Sequence, residues 1–179
     1  MAAYTEILML GFLRDGPKHG YELKRSMERV LAGARVTNSQ LYPSLKRFEE
    51  MGAVTRQVTR QIGKPDRHSY QLTSLGEEIL HDLLIEDTSE VVGRDREFYV
   101  RAAHFALLSA AERLAVLEAR KSALLRRQAH VAAWGGGSWP KKVGRLRGQM
   151  LATELAVLDQ WLAEEQQAAE GEDGDGHGV

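Results

Sequence analysis

Apolar residues recur at helical spacing along most of this chain, and in one short stretch they alternate. Ile7, Leu8, Leu10 and Leu13 give a helix over Thr5–Leu13 one side to bury. Asp15-Gly16-Pro17 stops it, because Gly permits positive φ and Pro removes a donor. A second helix runs from about Gly20 to Leu31, with Tyr21, Met27, Val30 and Leu31 as apolar anchors, and Gly33 closes it. Thr37 or Asn38 caps a third, whose stripe is Leu41, Leu45, Phe48 and Met51. Ala53–Ile62 and Arg67–Leu72 read as two strands around Gly63-Lys64-Pro65-Asp66; the second alternates well, with His68, Tyr70 and Leu72 on one face. Thr73 caps a fourth helix carrying Leu75, Ile79, Leu83 and Leu84. Three helices, a hairpin and another helix predict a winged helix-turn-helix.

The third helix is the most informative segment. Opposite its apolar stripe stand Ser39, Gln40, Tyr42, Lys46 and Arg47. Short hydrogen-bonding groups come first and cations follow, the order a helix needs when its start meets base edges and its flank meets phosphates. Tyr42 brings a ring for a thymine methyl or sugar and a hydroxyl for phosphate; a partly buried helix position is its plainer reading. Pro43 falls late enough in the helix to remove a backbone donor and distort the axis locally.

The stretch Ile7–Leu80 also carries Leu10-Gly11, Gly16-Pro17, His19-Gly20-Tyr21-Glu22-Leu23, Leu41-Tyr42-Pro43, Phe48-Glu49-Glu50-Met51-Gly52, Arg67-His68-Ser69-Tyr70 and Leu72-Thr73-Ser74-Leu75-Gly76. In these motifs it resembles the PadR family of transcriptional regulators. The resemblance implies a dimeric, ligand-responsive repressor with a winged N-terminal domain and a helical C-terminal dimerisation domain. Asn38-Ser39-Gln40, where small residues and Gly are common, and Phe48, where Leu is usual, depart from the pattern and bear on which bases are read. On this reading Tyr21 and Lys24, with His19 nearby, hold phosphates. Ser39, Gln40, Tyr42 and Lys46 face the major groove, Asn38 and Arg47 complete the DNA-binding set, and Lys64 and Arg67 of the wing reach the flanking backbone or minor groove.

Beyond Glu86 the pattern is helical throughout. Arg96–Leu108 predicts a short helix with Phe98, Ala102, Phe105 and Ala106 inward. Ser109-Ala110-Ala111-Glu112 is a capping box that starts a longer one, carrying Leu114, Leu117, Leu124, Leu125 and Val131. Gly135-Gly136-Gly137 breaks it. The last helix, from about Lys141 to Gln167, has Leu151, Leu155, Leu158 and Leu162 in a heptad-like run and a second stripe of Leu146, Met150, Val157 and Trp161. Two stripes need two partners, its own domain and another subunit, so Leu151, Leu155, Leu158, Trp161 and Leu162 are the expected dimerisation set. Aromatic residues near a dimer interface line effector pockets in PadR-like proteins, which makes Phe98, Trp134, Trp139 and Trp161 effector candidates. The plainer alternative is that Trp134 and Trp139 are packing anchors at a helix junction. The resulting organisation is a DNA-binding domain over 1–86, a helical dimerisation and effector domain over 87–167, and a disordered acidic tail over 168–179.

Charge and composition then narrow the function. Net charge is −1, but from Arg35 to His68 seven cations face three acids, and from Glu164 onward there are six acids with no Lys or Arg. Local field governs phosphate binding, so the reading helix and wing remain suited to DNA. With no Cys, disulfides, thiolate catalysis and cysteine-ligated zinc are excluded. No His-x-x-x-His pair, phosphate loop or nucleophile constellation is present, so neither an enzyme nor a metal or other cofactor is expected. No run approaches the ~18 apolar residues of a membrane span, and a soluble cytoplasmic protein is expected. The expectation is a mainly α protein with a small β-hairpin. It acts as a homodimeric repressor on a double-stranded, inverted-repeat operator and is released by a small planar or aromatic effector. The alternative is a winged helix used as a protein-interaction module.

Overall fold

A computed structural model describes residues 3–31, 35–60, 67–86, 94–132 and 137–174. The chain divides into two compact units, Met1–Glu86 and Asp87–Val179. In the first, α1 (Ala3–Arg14), β1 (Lys18–His19), α2 (Gly20–Val30), α3 (Asn38–Glu50), β2 (Val54–Thr59), β3 (Arg67–Leu72) and α4 (Ser74–Ile85) follow in order. The sheet is antiparallel in the order β1-β3-β2. The unit is a winged helix-turn-helix with a third, two-residue strand on its wing. Sequence reading missed that strand: Lys18 and His19 pair with Tyr70 and Ser69, too far along the chain for local pattern to register.

The core forms where the apolar stripes meet. Ile7, Leu8, Leu10 and Leu13 of α1, Leu23 and Met27 of α2, and Leu41, Leu45 and Phe48 of α3 are buried together with Tyr70, Leu80 and Leu84. Met51, expected in the α3 stripe, is exposed because the helix ends there and Gly52 turns the chain at φ +78°. The Ala53 N–H then bonds back to the Phe48 carbonyl at 2.9 Å, which closes the helix and launches β2. Tyr21, Val30 and Leu75, expected as anchors, are also exposed. Gly20, Ser44 and Gly76 are buried instead; a Cβ at Gly76 would meet the Ala53 carbonyl, and one at Gly20 the Tyr42 ring.

The second unit contains α5 (Asp95–Ala102), a 3-10 turn (Phe105–Leu107), α6 (Ala110–Ala132) and α7 (Ser138–Gly174). The helix expected over Arg96–Leu108 is thus broken after Ala102. The capping box forms as predicted: the Ser109 N–H donates to the Glu112 carboxylate at 2.8 Å and the Glu112 N–H to the Ser109 hydroxyl at 3.3 Å. α7 continues past Gln167 to Gly174, so residues 168–174 of the expected disordered tail have helical backbone. Residues 175–179 lie outside the described residues, as do the Gly-rich break at 133–136 and the turn at 61–66. α6 and α7 form an antiparallel hairpin around Phe98, Leu117, Leu124, Leu151, Leu155, Leu158 and Leu162. Among the described residues, no helix is long and apolar enough to cross a membrane.

Candidate nucleic-acid interface

The outer face of α3 and the start of α2 lie side by side. Asn38, Ser39, Gln40, Tyr42 and Lys46 are exposed, while Leu41, Ser44, Leu45 and Phe48 point inward. Thr37, not Asn38, is the N-cap. That makes Gln40 the third helical residue, where its Oε1 accepts from the Thr37 N–H at 3.2 Å and the Thr37 hydroxyl at 3.0 Å. This is a capping box, readable in the Thr-x-x-Gln spacing, and sequence reasoning passed over it. Gln40 therefore fixes the start of the helix with its oxygen and has its amide N–H groups left for a base acceptor. Pro43 lies inside a continuous helix and removes the N–H that would otherwise reach the Ser39 carbonyl.

α2 is joined to α3 through polar and aromatic contacts. Lys24 Nζ donates to Asn38 Oδ1 at 3.1 Å. A Cβ added at Gly20 would come within 3.0 Å of the Tyr42 ring and hydroxyl, so Tyr42 lies against the first turn of α2 and is still 42% exposed. At that turn the His19 N–H donates to Glu22 at 3.0 Å, and Tyr21 Oη donates to the same carboxylate at 3.1 Å. The bond from the His19 N–H, chiefly, holds the Glu22 carboxyl below its ordinary range. The His19 ring stacks on Tyr21 at 5.9 Å and bonds the His68 carbonyl of β3 through Nδ1 at 3.1 Å. His19 is thus a hinge pin between α2 and the wing, with Tyr21 presented outward beside it.

The cations sort into two groups. Arg47 bonds Glu6 of α1 at 2.6 Å and lies over the Phe48 ring at 4.9 Å, which ties α3 to α1. Lys46 pairs with Glu50 at 3.5 Å on an exposed face, and Arg56 pairs with Glu49 at 3.0 Å. Exposed pairs of this kind contribute little and break readily for a phosphate. Arg60 and Arg67 have no acidic partner among the described residues; the Thr59–Arg67 register puts Arg67 at the start of β3 and Arg60 just past the end of β2, both at the wing end. Arg60 is the wing cation that the sequence-based site omitted; Lys64 lies outside the described residues.

In the second unit, Phe98 and Trp161 line a cavity of about 490 Å³, together with Tyr99, Met150, Leu151 and Val157. Asp95, Glu154, Arg127 and Arg147 supply its charged rim. Of the other effector candidates, Trp139 is 71% exposed and outside the lining, stacked under Lys142 at 4.4 Å. Trp134 lies outside the described residues. The expected dimerisation leucines are used within the chain: Leu151, Leu155, Leu158 and Leu162 pack on α6. Only Trp161 of that set remains on an exposed face, with Leu146, Met150 and Val157. Among the described residues no group of His, Asp or Glu could hold a metal ion.

The model of the transcriptional regulator PadR-like family matches residues 9–82, the span that holds α2, α3 and the wing. The chain is 31% identical over 125 residues to the negative transcriptional regulator PadR of Bacillus subtilis (strain 168), covering 69% of this chain and 67% of that one. The chain belongs to the PadR-like family. It is a transcriptional regulator and not an enzyme. Among solved structures, Bacillus subtilis PadR in complex with operator DNA is 23% identical, covers 89% of this chain and 98% of that one, and gives a TM-score of 0.44. A PadR family regulator from Eggerthella lenta DSM 2243 is 28% identical, covers 44% of this chain and 66% of that one, and gives a TM-score of 0.39. Within the PadR-like span, the His-Gly-Tyr-Glu-Leu and Leu-Tyr-Pro motifs are the two sides of one contact, Gly20 against Tyr42.

Proposed function

We propose that the protein is a homodimeric repressor that binds an inverted-repeat operator through α3 and is released by a small effector held in the cavity of its second unit. The observation that carries the DNA reading is the polar, exposed face of α3, continuous with Tyr21 and Lys24 of α2 and flanked by Arg60 and Arg67. Ser39, Gln40, Tyr42 and Lys46 enter the major groove; Lys24, Tyr21 and the wing hold phosphates. One winged unit offers a single reading helix, so tight binding needs two, with half-site centres about one helical turn (~10 bp) or a small multiple apart. The repressor role follows the Bacillus relative, itself described as a negative regulator. Footprinting and stoichiometry on the protein's own upstream DNA test this reading: a symmetric double footprint with two chains per site is expected, and a single half-site bound 1:1 would reject it.

Positioning and reading residues separate by salt and sequence dependence. Replacing Arg60 and Arg67 by Ala should weaken operator and random DNA alike and flatten the log K versus log salt slope by roughly one unit per lost phosphate contact. Gln40 needs two variants because it also caps α3. Gln40→Ala should lose about 0.5–2 kcal/mol of stability with the cap, plus about 1–3 kcal/mol of operator affinity. Gln40→Glu keeps the capping acceptor and removes the donor, so thermal stability should hold while operator binding falls. Operator binding by Gln40→Glu equal to that of the parent protein, at unchanged stability, would take Gln40 out of the base-reading set.

For the effector, the cavity's aromatic wall of Phe98, Tyr99 and Trp161 suits a planar ring. Release follows if the ligand favours one dimer geometry over another, with a coupling of order 1–3 kcal/mol. Trp161→Phe should reduce both ligand-induced fluorescence quenching and DNA release. A ligand that releases DNA from this variant as from the parent protein would place the pocket elsewhere.

A further inference from the structure

Between Glu118 and Glu154 the chain has 35 residues with eight cations and no acid. The stretch from Arg35 to His68, which holds α3 and the wing, has seven cations and three acids in 34 residues. The second unit thus carries twice the net positive charge in almost the same length, and the proposed function leaves most of it unused.

The fold gathers this charge in one place. The pairs Arg113–Glu165, Lys121–Asp159 and Arg120–Glu154 set α6 antiparallel to α7. That register brings the end of α6, with Arg126 and Arg127, beside the start of α7, with Lys141, Lys142, Arg145 and Arg147. Acids from outside the stretch satisfy three of the eight: Arg120 and Arg127 bond Asp95, Arg120 also bonds Glu154, and Lys121 bonds Asp159. Arg126, Lys141, Lys142, Arg145 and Arg147 are exposed and have no acidic partner among the described residues. Lys142 instead lies over the Trp139 ring at 4.4 Å. Four of these five fall between Ser138 and Arg147, in the first turns of α7. The helix macrodipole already supplies roughly half a positive charge at that end. Cations there cost helix stability, and the two fields add toward an anion.

Position on the helix decides which anion. At 3.6 residues per turn, Lys141 and Arg145 share a face that Gln149 and Ala152 continue. It is the third side of α7, distinct from the leucine run packed on α6 and from the exposed stripe of Trp139, Leu146, Met150 and Val157. With no large apolar residue, that side suits a phosphodiester backbone, which takes cations and hydrogen bonds and needs no apolar burial. Spread along about 9 Å of helix, Lys141 to Arg147 match a row of phosphates and not one small anion. A lipid surface fits less well. Laid along the apolar stripe, anionic lipid would also meet Glu164 and the acids that follow Trp161.

We propose that this end of the α6–α7 hairpin is a second DNA-contacting surface, which holds the phosphate backbone of duplex DNA without reading its sequence. The proposal takes duplex DNA as the partner from the α3 reading above and adds a contact from the second unit. Such a contact raises non-specific affinity and its salt dependence and leaves base choice to α3.

Random duplex DNA is the probe that tests it. Lys141→Gln combined with Arg145→Gln changes exposed positions, so melting temperature and molecular mass should match those of the parent protein. The log K versus log salt slope on random duplex should flatten by about two units, roughly one per lost contact. Affinity and slope equal to the parent's would overturn the proposal. Should the parent still footprint its operator in that case, the α3 reading stands; should the parent bind neither DNA, both fall. The absence of Cys gives an independent check. Ser138→Cys, also at an exposed position and labelled with an aryl azide, should photocross-link to random duplex. The yield should drop when Lys141→Gln and Arg145→Gln are added, and no cross-link at all would count against the surface. If the doubly substituted chain kept its DNA affinity and instead lost binding to phosphatidylglycerol vesicles, the surface would belong to lipid and the proposal would fail.

Discussion

Gly76→Ala should destabilise the winged unit more than Gly16→Ala, Gly20→Ala or Gly52→Ala. A Cβ there would stand 2.2 Å from the Ala53 carbonyl oxygen and 2.5 Å from Leu72 Cδ1. The leucine can rotate, but the carbonyl cannot, because it already accepts the Thr73 N–H at 3.1 Å at the junction of β2 and α4. The Gly76 N–H is itself held by the Thr73 hydroxyl at 3.1 Å, so the first turn of α4 is fixed from both sides. Relief requires α4 to move off the sheet, with Leu80 and Leu84 leaving the core. Overpacking typically costs about 1–3 kcal/mol and occasionally more; a backbone obstacle puts this case at the top of that range. For a unit of this size the melting temperature should fall by roughly 10 °C or more. Calorimetry checks it: a shift of only a degree or two would mean that α4 can slide without loss. Gly20→Ala is the informative contrast. Its 3.0 Å obstacle is the mobile end of Tyr42, so stability should fall less while DNA binding suffers from the displaced ring.

The same two glycines show where sequence reading stops. Gly76 stood in the sequence as one letter of a family-like motif, and only the fold brings Ala53 against it. Helices could be read because their apolar stripes repeat within a few residues and Gly, Pro and capping residues punctuate them; α1, α4 and the Ser109 cap needed nothing else. β3 was readable from alternation, whereas β1 was not, since two residues carry no period and its partner is distant. Within the site, exposure of Ser39, Gln40, Tyr42 and Lys46 followed from the helix period. What those side chains already hold did not. The Thr37 spacing signals that Gln40 also caps the helix, whereas the ion pair of Arg47 is invisible in the sequence because Glu6 is 41 residues away. Both stripes of α7 were visible as patterns, but periodicity cannot say which one a chain buries in itself. α6 took the more regular leucine run and left the tryptophan stripe outside.

Arg120→Met should have the comparable effect in the second unit. Arg120 is fully buried, yet it bonds Glu154 of α7 through Nε at 2.9 Å and Asp95 of α5 through Nη2 at 2.9 Å. Its guanidinium also lies 5.0 Å from the Phe98 ring centroid. One side chain of α6 thus ties together three helices beside the cavity. Removing one partner of a buried ion pair typically costs about 3–5 kcal/mol, because the remaining charge stays without compensation. Asp95 keeps Arg127 at 2.6 Å and is half exposed, so the lower end of that range is expected. Arg120→Met combined with Glu154→Leu should recover much of the loss, since apolar replacements of a buried pair are often neutral. The acid limb of the stability curve offers a second readout. Burial pushes the Asp95 carboxyl up, but hydrogen bonds from Arg120 and Arg127 outweigh burial and hold it below its ordinary range. A depressed carboxylate contributes stability that is complete above its unfolded pKa and lost as pH falls through its folded value. The parent protein should therefore weaken on acidification below the ordinary Asp range, and the Arg120→Met variant, already without part of that contribution, should weaken less. Chemical denaturation at neutral pH and at acid pH would show the gap between the two proteins narrowing. A gap that stayed constant with pH would mean that Arg120 acts through packing on Phe98 and not through its charge.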